Sequence, residues 1–217
     1  MVDPERAGRS FLKRFDEELF IPRNVYGELN DDVLSFSDDI VHRFSKHKFF
    51  VGVTLRGSQI RGYSLPDSDA DIRILYDSSD PSYSVEKLDS IFDEIQTKPK
   101  KVSVKLFWCD MGGPDAGLSG EHLGYNALCE LSFGSRVEEY RKRFSESLKA
   151  LSKEKRTQVL QEILLDLLYY ETSRIPVLKE RIPEFAALSQ MQVSAIMQKR
   201  KTMWEERIRE VFELHKS

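Results

Sequence analysis

The chain has 217 residues, 40% hydrophobic and 32% charged, with a formal net charge of −3. That length can bury a sizeable core, and a charge so near neutral argues against strong indiscriminate binding to nucleic acid. No apolar run approaches the roughly 18–20 residues of a membrane helix, and the two cysteines, Cys109 and Cys129, are too few and too far apart for a zinc cluster or a disulfide framework.

The opening stretch MVDPERAGRSFLKRF is charged throughout and lacks the apolar run of a secretory signal, so the expected setting is cytoplasmic, with free thiols and no membrane partner. Charge is uneven along the chain: 17 Lys+Arg against 13 Asp+Glu from Ser135 onward, and 16 against 23 before it.

Taken in chain order, residues 31–47 place Val33, Leu34, Phe36, Ile40, Val41 and Phe44 at helical spacing. FFVGVTL (49–55) is β-rich and apolar, which predicts a buried strand ended by Gly57-Ser58. Gly62 and Pro66 keep residues 59–68 irregular. DADIRILY (69–76) alternates and predicts a second strand, Val85–Ile95 a helix, and KVSVKLFW (101–108) a third strand. A glycine-rich loop follows. Residues 121–131, 135–151, 153–173 and 188–214 then carry helical periodicity, with Pro176 and Pro183 expected to break the chain between the last two.

The stretch RGSQIRGYSLPDSDADIRIL (56–75) concentrates the chemistry. Alternation on a strand puts Asp69 and Asp71 on one face and Ala70, Ile72 and Ile74 on the other. Two neighbouring carboxylates repel each other. A solvated edge strand relieves that repulsion; so does a divalent cation with hard oxygen ligands. Mg²⁺ takes one or two protein carboxylates and completes its shell with water and phosphate oxygens, so the acids need a phosphate-binding element nearby. Gly57-Ser58 is such an element, because glycine lets backbone N–H groups approach an anion and the serine hydroxyl adds a donor.

The strand, Gly-Ser, ten residues and Asp-Ala-Asp together resemble the signature of the DNA polymerase β-like nucleotidyltransferase superfamily, particularly its small bacterial and archaeal members. The likeness covers about residues 50–76. It implies an α/β (α+β) fold, a nucleotidyltransferase-like mixed sheet flanked by helices, with a core over 1–120 and a C-terminal helical region over 121–217. It further implies transfer of a nucleoside monophosphate from an NTP to an acceptor such as RNA, a protein or a small molecule, with pyrophosphate released.

On that resemblance Gly57 and Ser58 hold the triphosphate, while Asp69 and Asp71 are catalytic and hold Mg²⁺ or Mn²⁺. Arg56, Arg61 and Arg73 are candidate phosphate clamps; Arg73, which shares the aspartates' strand face, has a salt bridge to one of them as its alternative role. Active members generally carry a third carboxylate on the next core strand, and here that position is Lys105. Three outcomes follow: the acid comes from Asp110, or from elsewhere such as Glu121 or Glu130, or the chain is a catalytically impaired nucleotide- or partner-binding module. Lys105 is itself a candidate phosphate contact or a solvated lysine. The four histidines, His42, His47, His122 and His215, show no metal-ligand spacing.

Overall fold

The computed structural model describes residues 11–17, 24, 26, 28–65, 68–97, 103–112 and 123–214. The boundary at residue 120, together with Glu121, His122 and His215, lies outside the described residues.

A four-stranded mixed sheet, ordered β3-β2-β1-β4, is flanked by helices. The short helix α1 (Phe11–Glu17) precedes α2 (Asp31–Phe44). The first turn of α2 is acidic and its last turn carries His42 and Arg43, which suits the helix dipole; it buries Val33, Ser37, Ile40 and Phe44. Strand β1 (Phe50–Arg56) is buried up to its last residue. Strand β2 (Ala70–Tyr76) runs antiparallel to it, with Ala70, Ile72 and Ile74 fully buried as the alternation predicts. Helix α3 (Val85–Thr97) packs Leu88, Ile91 and Ile95 inward and supplies the crossover that a parallel strand requires. Strand β3 (Val104–Asp110) then lies parallel to β2 at the sheet edge.

The expected helix over 121–131 is divided. Helix α4 (Leu123–Cys129) ends early, and Leu131–Phe133 forms β4, antiparallel to β1. Glycine makes this pairing possible: a Cβ on Gly52 would stand 2.2 Å from the Phe133 carbonyl oxygen. Three strand residues, of which only Leu131 falls within the expected helix, are too few to show a period.

Helix α5 (Val137–Ala150) leads into α6 (Lys153–Arg181), which starts at an N-cap where Ser152 accepts from the Lys155 N–H. Contrary to the expected break, α6 continues through Pro176. Proline removes one backbone donor, and both Pro176 and Thr172, whose carbonyl loses that donor, are exposed, so water can replace the bond. A single turn, α7 (Pro183–Ala186), precedes α8 (Gln190–Val211), which opens on a Ser189/Gln192 capping box.

Trp204, Ile208 and Phe212 join Tyr125, Leu128 and Tyr140 in the same buried cluster as the sheet residues Val53, Leu55, Ile72 and Ile74. A second cluster packs Phe11 and Phe15 of α1 against Tyr63, Leu178, Ile182 and Phe185. Each fully buried aromatic or aliphatic side chain contributes about 1.5–3 kcal/mol of transfer free energy. Among the described residues no helix is long and apolar enough to cross a membrane.

Candidate functional site

Gly57 turns the chain out of β1 into a 3-10 turn (Gly57–Ile60) with φ of 71°, a left-handed conformation that disfavours a side chain. Space forbids one as well. A Cβ there would stand 2.6 Å from Asp71 Oδ2 and 2.7 Å from the Tyr170 hydroxyl. The Gly-Ser turn is therefore packed against the second aspartate of the pair. Around it lies a pocket of about 200 Å³ whose lining includes Ser58, Asp69, Asp71, Lys105, Tyr170 and Arg174.

Asp71 is held by β2 between Arg56 of β1 and Lys105 of β3 in the strand registers. Burial raises its carboxyl above 3.8 in spite of Arg56, Lys105 and Arg174 nearby, and its hydrogen bond from the Tyr170 hydroxyl is long, at 3.4 Å. Asp69 stands one residue before β2 rather than on it, yet faces the same pocket. Its carboxylate meets Lys105 Nζ at 2.5 Å. Hydrogen bonds from Lys105 and then Ser103 hold it below the usual aspartate value.

Lys105, where the resemblance leads one to expect a third acid, thus brings an ammonium to the aspartates. Among the described residues no group of three His, Cys, Asp or Glu side chains is arranged to hold a metal ion.

Asp110 is displaced from the role expected of it. It pairs with Tyr76 at the far end of the parallel strands, five residues beyond Lys105, or about 16 Å at 3.3 Å per residue. There its Oδ1 accepts from the Ser78 and Gly112 N–H groups and holds a turn.

Arg61 and Arg73 are also corrected, because both are enclosed: they are 1% and 4% exposed. Arg61 pairs with Glu171 at 2.7 Å and Glu130 at 3.5 Å, between the rings of Tyr170 and Trp204. Arg73 takes the other Glu130 oxygen at 3.5 Å rather than an aspartate. Glu130 is accordingly committed to two buried arginines. Arg56, the remaining clamp candidate, lies over the rings of Phe107 and Tyr170.

Tyr170 and Arg174 went unrecognised in the sequence. They sit one turn apart on α6, more than 110 residues after the Gly-Ser turn, and only an i, i+4 aromatic–arginine spacing marks them. Glu171 went unrecognised too. Its Oε1 accepts from Arg61, from Arg200 at 2.9 Å and from the Trp204 indole N–H at 3.0 Å. Burial pushes this carboxyl up, but Arg200 and Arg61 outweigh that and hold it below 4.5.

Comparison with known proteins finds no matching protein family, no matching characterised protein and no matching solved structure.

Proposed function

We propose that the pocket binds a magnesium–nucleoside triphosphate and that the protein is a metal-dependent nucleotidyltransferase, passing a nucleoside monophosphate to an RNA, protein or small-molecule acceptor. One observation carries this reading: Ser58, Asp69 and Asp71 converge on a single pocket beside a glycine turn that admits no side chain. The likeness of residues 50–76 to the nucleotidyltransferase signature supports it.

The donor set suits a divalent cation. Among the described residues Asp71 is a half-buried carboxylate whose one hydrogen bond is long and comes from a neutral hydroxyl, and Asp69 lies beside it. These two acids would hold Mg²⁺ or Mn²⁺, which supplies charge neutralisation on the phosphate oxygens as pyrophosphate departs. The Gly57–Ser58 turn presents backbone N–H groups and a hydroxyl to the phosphates. Lys105 offsets the anionic charge at the pocket.

A second reading is favoured by the Lys105–Asp69 contact: a module that binds the metal–nucleotide without transferring it. An ammonium takes the strand position where a third acid would accept the acceptor's proton.

Incubation with each α-labelled NTP, Mg²⁺ or Mn²⁺, and cell RNA or lysate separates the two. Transfer of label supports the enzyme; magnesium-dependent NTP binding without transfer supports the module; neither result rejects both. Asp71→Asn is expected to lower transfer or magnesium-dependent binding about 10²–10³-fold, the effect of losing several kcal/mol of metal-mediated stabilisation. The variant should stay folded, since burial already disfavours the Asp71 charge.

A further inference from the structure

Resting on the nucleotide-pocket reading, we propose that Arg174 of α6 grips the phosphate chain of an oligophosphate ligand, so that the helical region forms one wall of the binding pocket. Arg174 is exposed and lines the pocket. Nη2 donates to the neutral Tyr170 hydroxyl at 3.1 Å, the guanidinium lies 5.2 Å from the centre of that ring, and the Asp71 carboxylate acts on it from beyond ion-pair distance. No carboxylate among the described residues is within ion-pair distance of it.

The other cations nearby are engaged. Lys105 holds Asp69, Arg61 holds Glu171 and Glu130, and Arg73 holds Glu130. Arg56 is wedged between two rings beside Asp71.

Position supports the same assignment. The Tyr170 hydroxyl that receives the Arg174 bond crowds Gly57 together with Asp71 Oδ2, and it also reaches that carboxylate. The guanidinium therefore stands one hydroxyl away from the glycine turn. Its planar fork of donors matches phosphate oxygens. Charge agrees as well: Asp69 and Asp71 balance Lys105 and Arg174, so a divalent ion leaves the pocket positive and receptive to a polyanion.

Size narrows the recognised part. A pocket of about 200 Å³ is smaller than the roughly 300–1,000 Å³ that encloses a whole small molecule, so it takes up the phosphate chain and leaves the nucleoside outside.

The test is calorimetric titration of the full chain in Mg²⁺ with ATP, inorganic tripolyphosphate and AMP, for wild type, Arg174→Ala and Arg174→Lys. Wild type is expected to bind ATP and tripolyphosphate and to bind AMP far more weakly. Arg174→Ala should weaken the first two about 10–100-fold, the usual scale for losing charge-assisted hydrogen bonds. Lysine should restore part of the loss, because it keeps the charge without the fork. Thermal melts should coincide, since the side chain is exposed.

Equal affinities for wild type and Arg174→Ala would overturn the assignment while leaving the pocket reading intact. Binding of ATP without tripolyphosphate would overturn recognition through the phosphate chain. Binding of none of the three probes by wild type would overturn both the assignment and the nucleotide reading.

Discussion

Two clusters of charge meet on adjacent residues of α6. Glu171 points into the core, where Arg61, Arg200 and Trp204 converge on one carboxylate oxygen and both guanidinium groups are fully enclosed. Tyr170 turns toward the pocket, where Asp69, Asp71, Lys105 and Arg174 share a partly open space. The residue types are alike, but their commitments differ. In the first cluster each charge has its partner inside the protein, and taking one away strands the others. In the second, the hydrogen bonds that a half-buried carboxylate and an exposed guanidinium make among the described residues go to one tyrosine hydroxyl, which leaves both able to meet a ligand. An arginine in a stretch that resembles a nucleotide-binding signature is therefore not evidence of a nucleotide contact until its burial is known.

The sharpest break of that contrast is Glu171→Ala. It leaves Arg61 and Arg200 buried without their shared acid, and should destabilise the fold by about 3–5 kcal/mol, read from urea unfolding. An unchanged midpoint would mean that the enclosed cluster does not tie the helices to the sheet.

An intermediate effect is expected at Tyr140→Phe, which deletes the hydroxyl donated to buried Asp77. A hydrogen bond to a charged group contributes about 1.5–3 kcal/mol, so the loss should be of that order at neutral pH. Burial raises the Asp77 carboxyl, but bonds from Ser79 and Tyr140 outweigh it and leave its folded value below 3.8. Its contribution is therefore present above 3.8 and lost as pH falls through the lower folded value. The gap between wild type and Tyr140→Phe should narrow over that acid window; a gap constant with pH would refute the assignment.

The smallest effect belongs to the open cluster. Lys105→Ala releases Asp69 and removes a cation beside the acid pair, so magnesium affinity should rise severalfold, because an ammonium and a divalent cation repel each other across this exposed site. A fall in affinity would show that the lysine assists the metal site rather than competing with it.

Much of the architecture could be read from residue order, because β1 is a β-rich apolar run and β2, α2 and α3 carry periods whose apolar faces are the ones buried. The edge strand was legible too, although β3 begins and ends later than its alternation suggests. What escaped depended on contacts distant in sequence. Strand β4 exists because Gly52 and Gly134 let it approach β1, and α6 passes Pro176 because Pro176 and Thr172 are exposed. In the pocket, the local motif located Gly57, Ser58, Asp69 and Asp71, which lie within fifteen residues of one another. Arg61 and Arg73 looked equally suited to a phosphate, and only the acids of α6 and the α4–β4 junction reveal their structural duty. Tyr170 and Arg174 carry no local signature of a pocket.

The central loop between the glycine turn and the aspartates is pinned from behind. Arg200 donates to the Arg61 carbonyl while Glu171 receives the Arg61 side chain. A truncated protein stopping at residue 120 would retain every residue of the motif and yet lose this fastening, along with the outer strand β4. Engineering a minimal version should therefore begin by trimming surface segments and keep α6 and α8 together, since the motif borrows its shape from helices encoded far downstream of it.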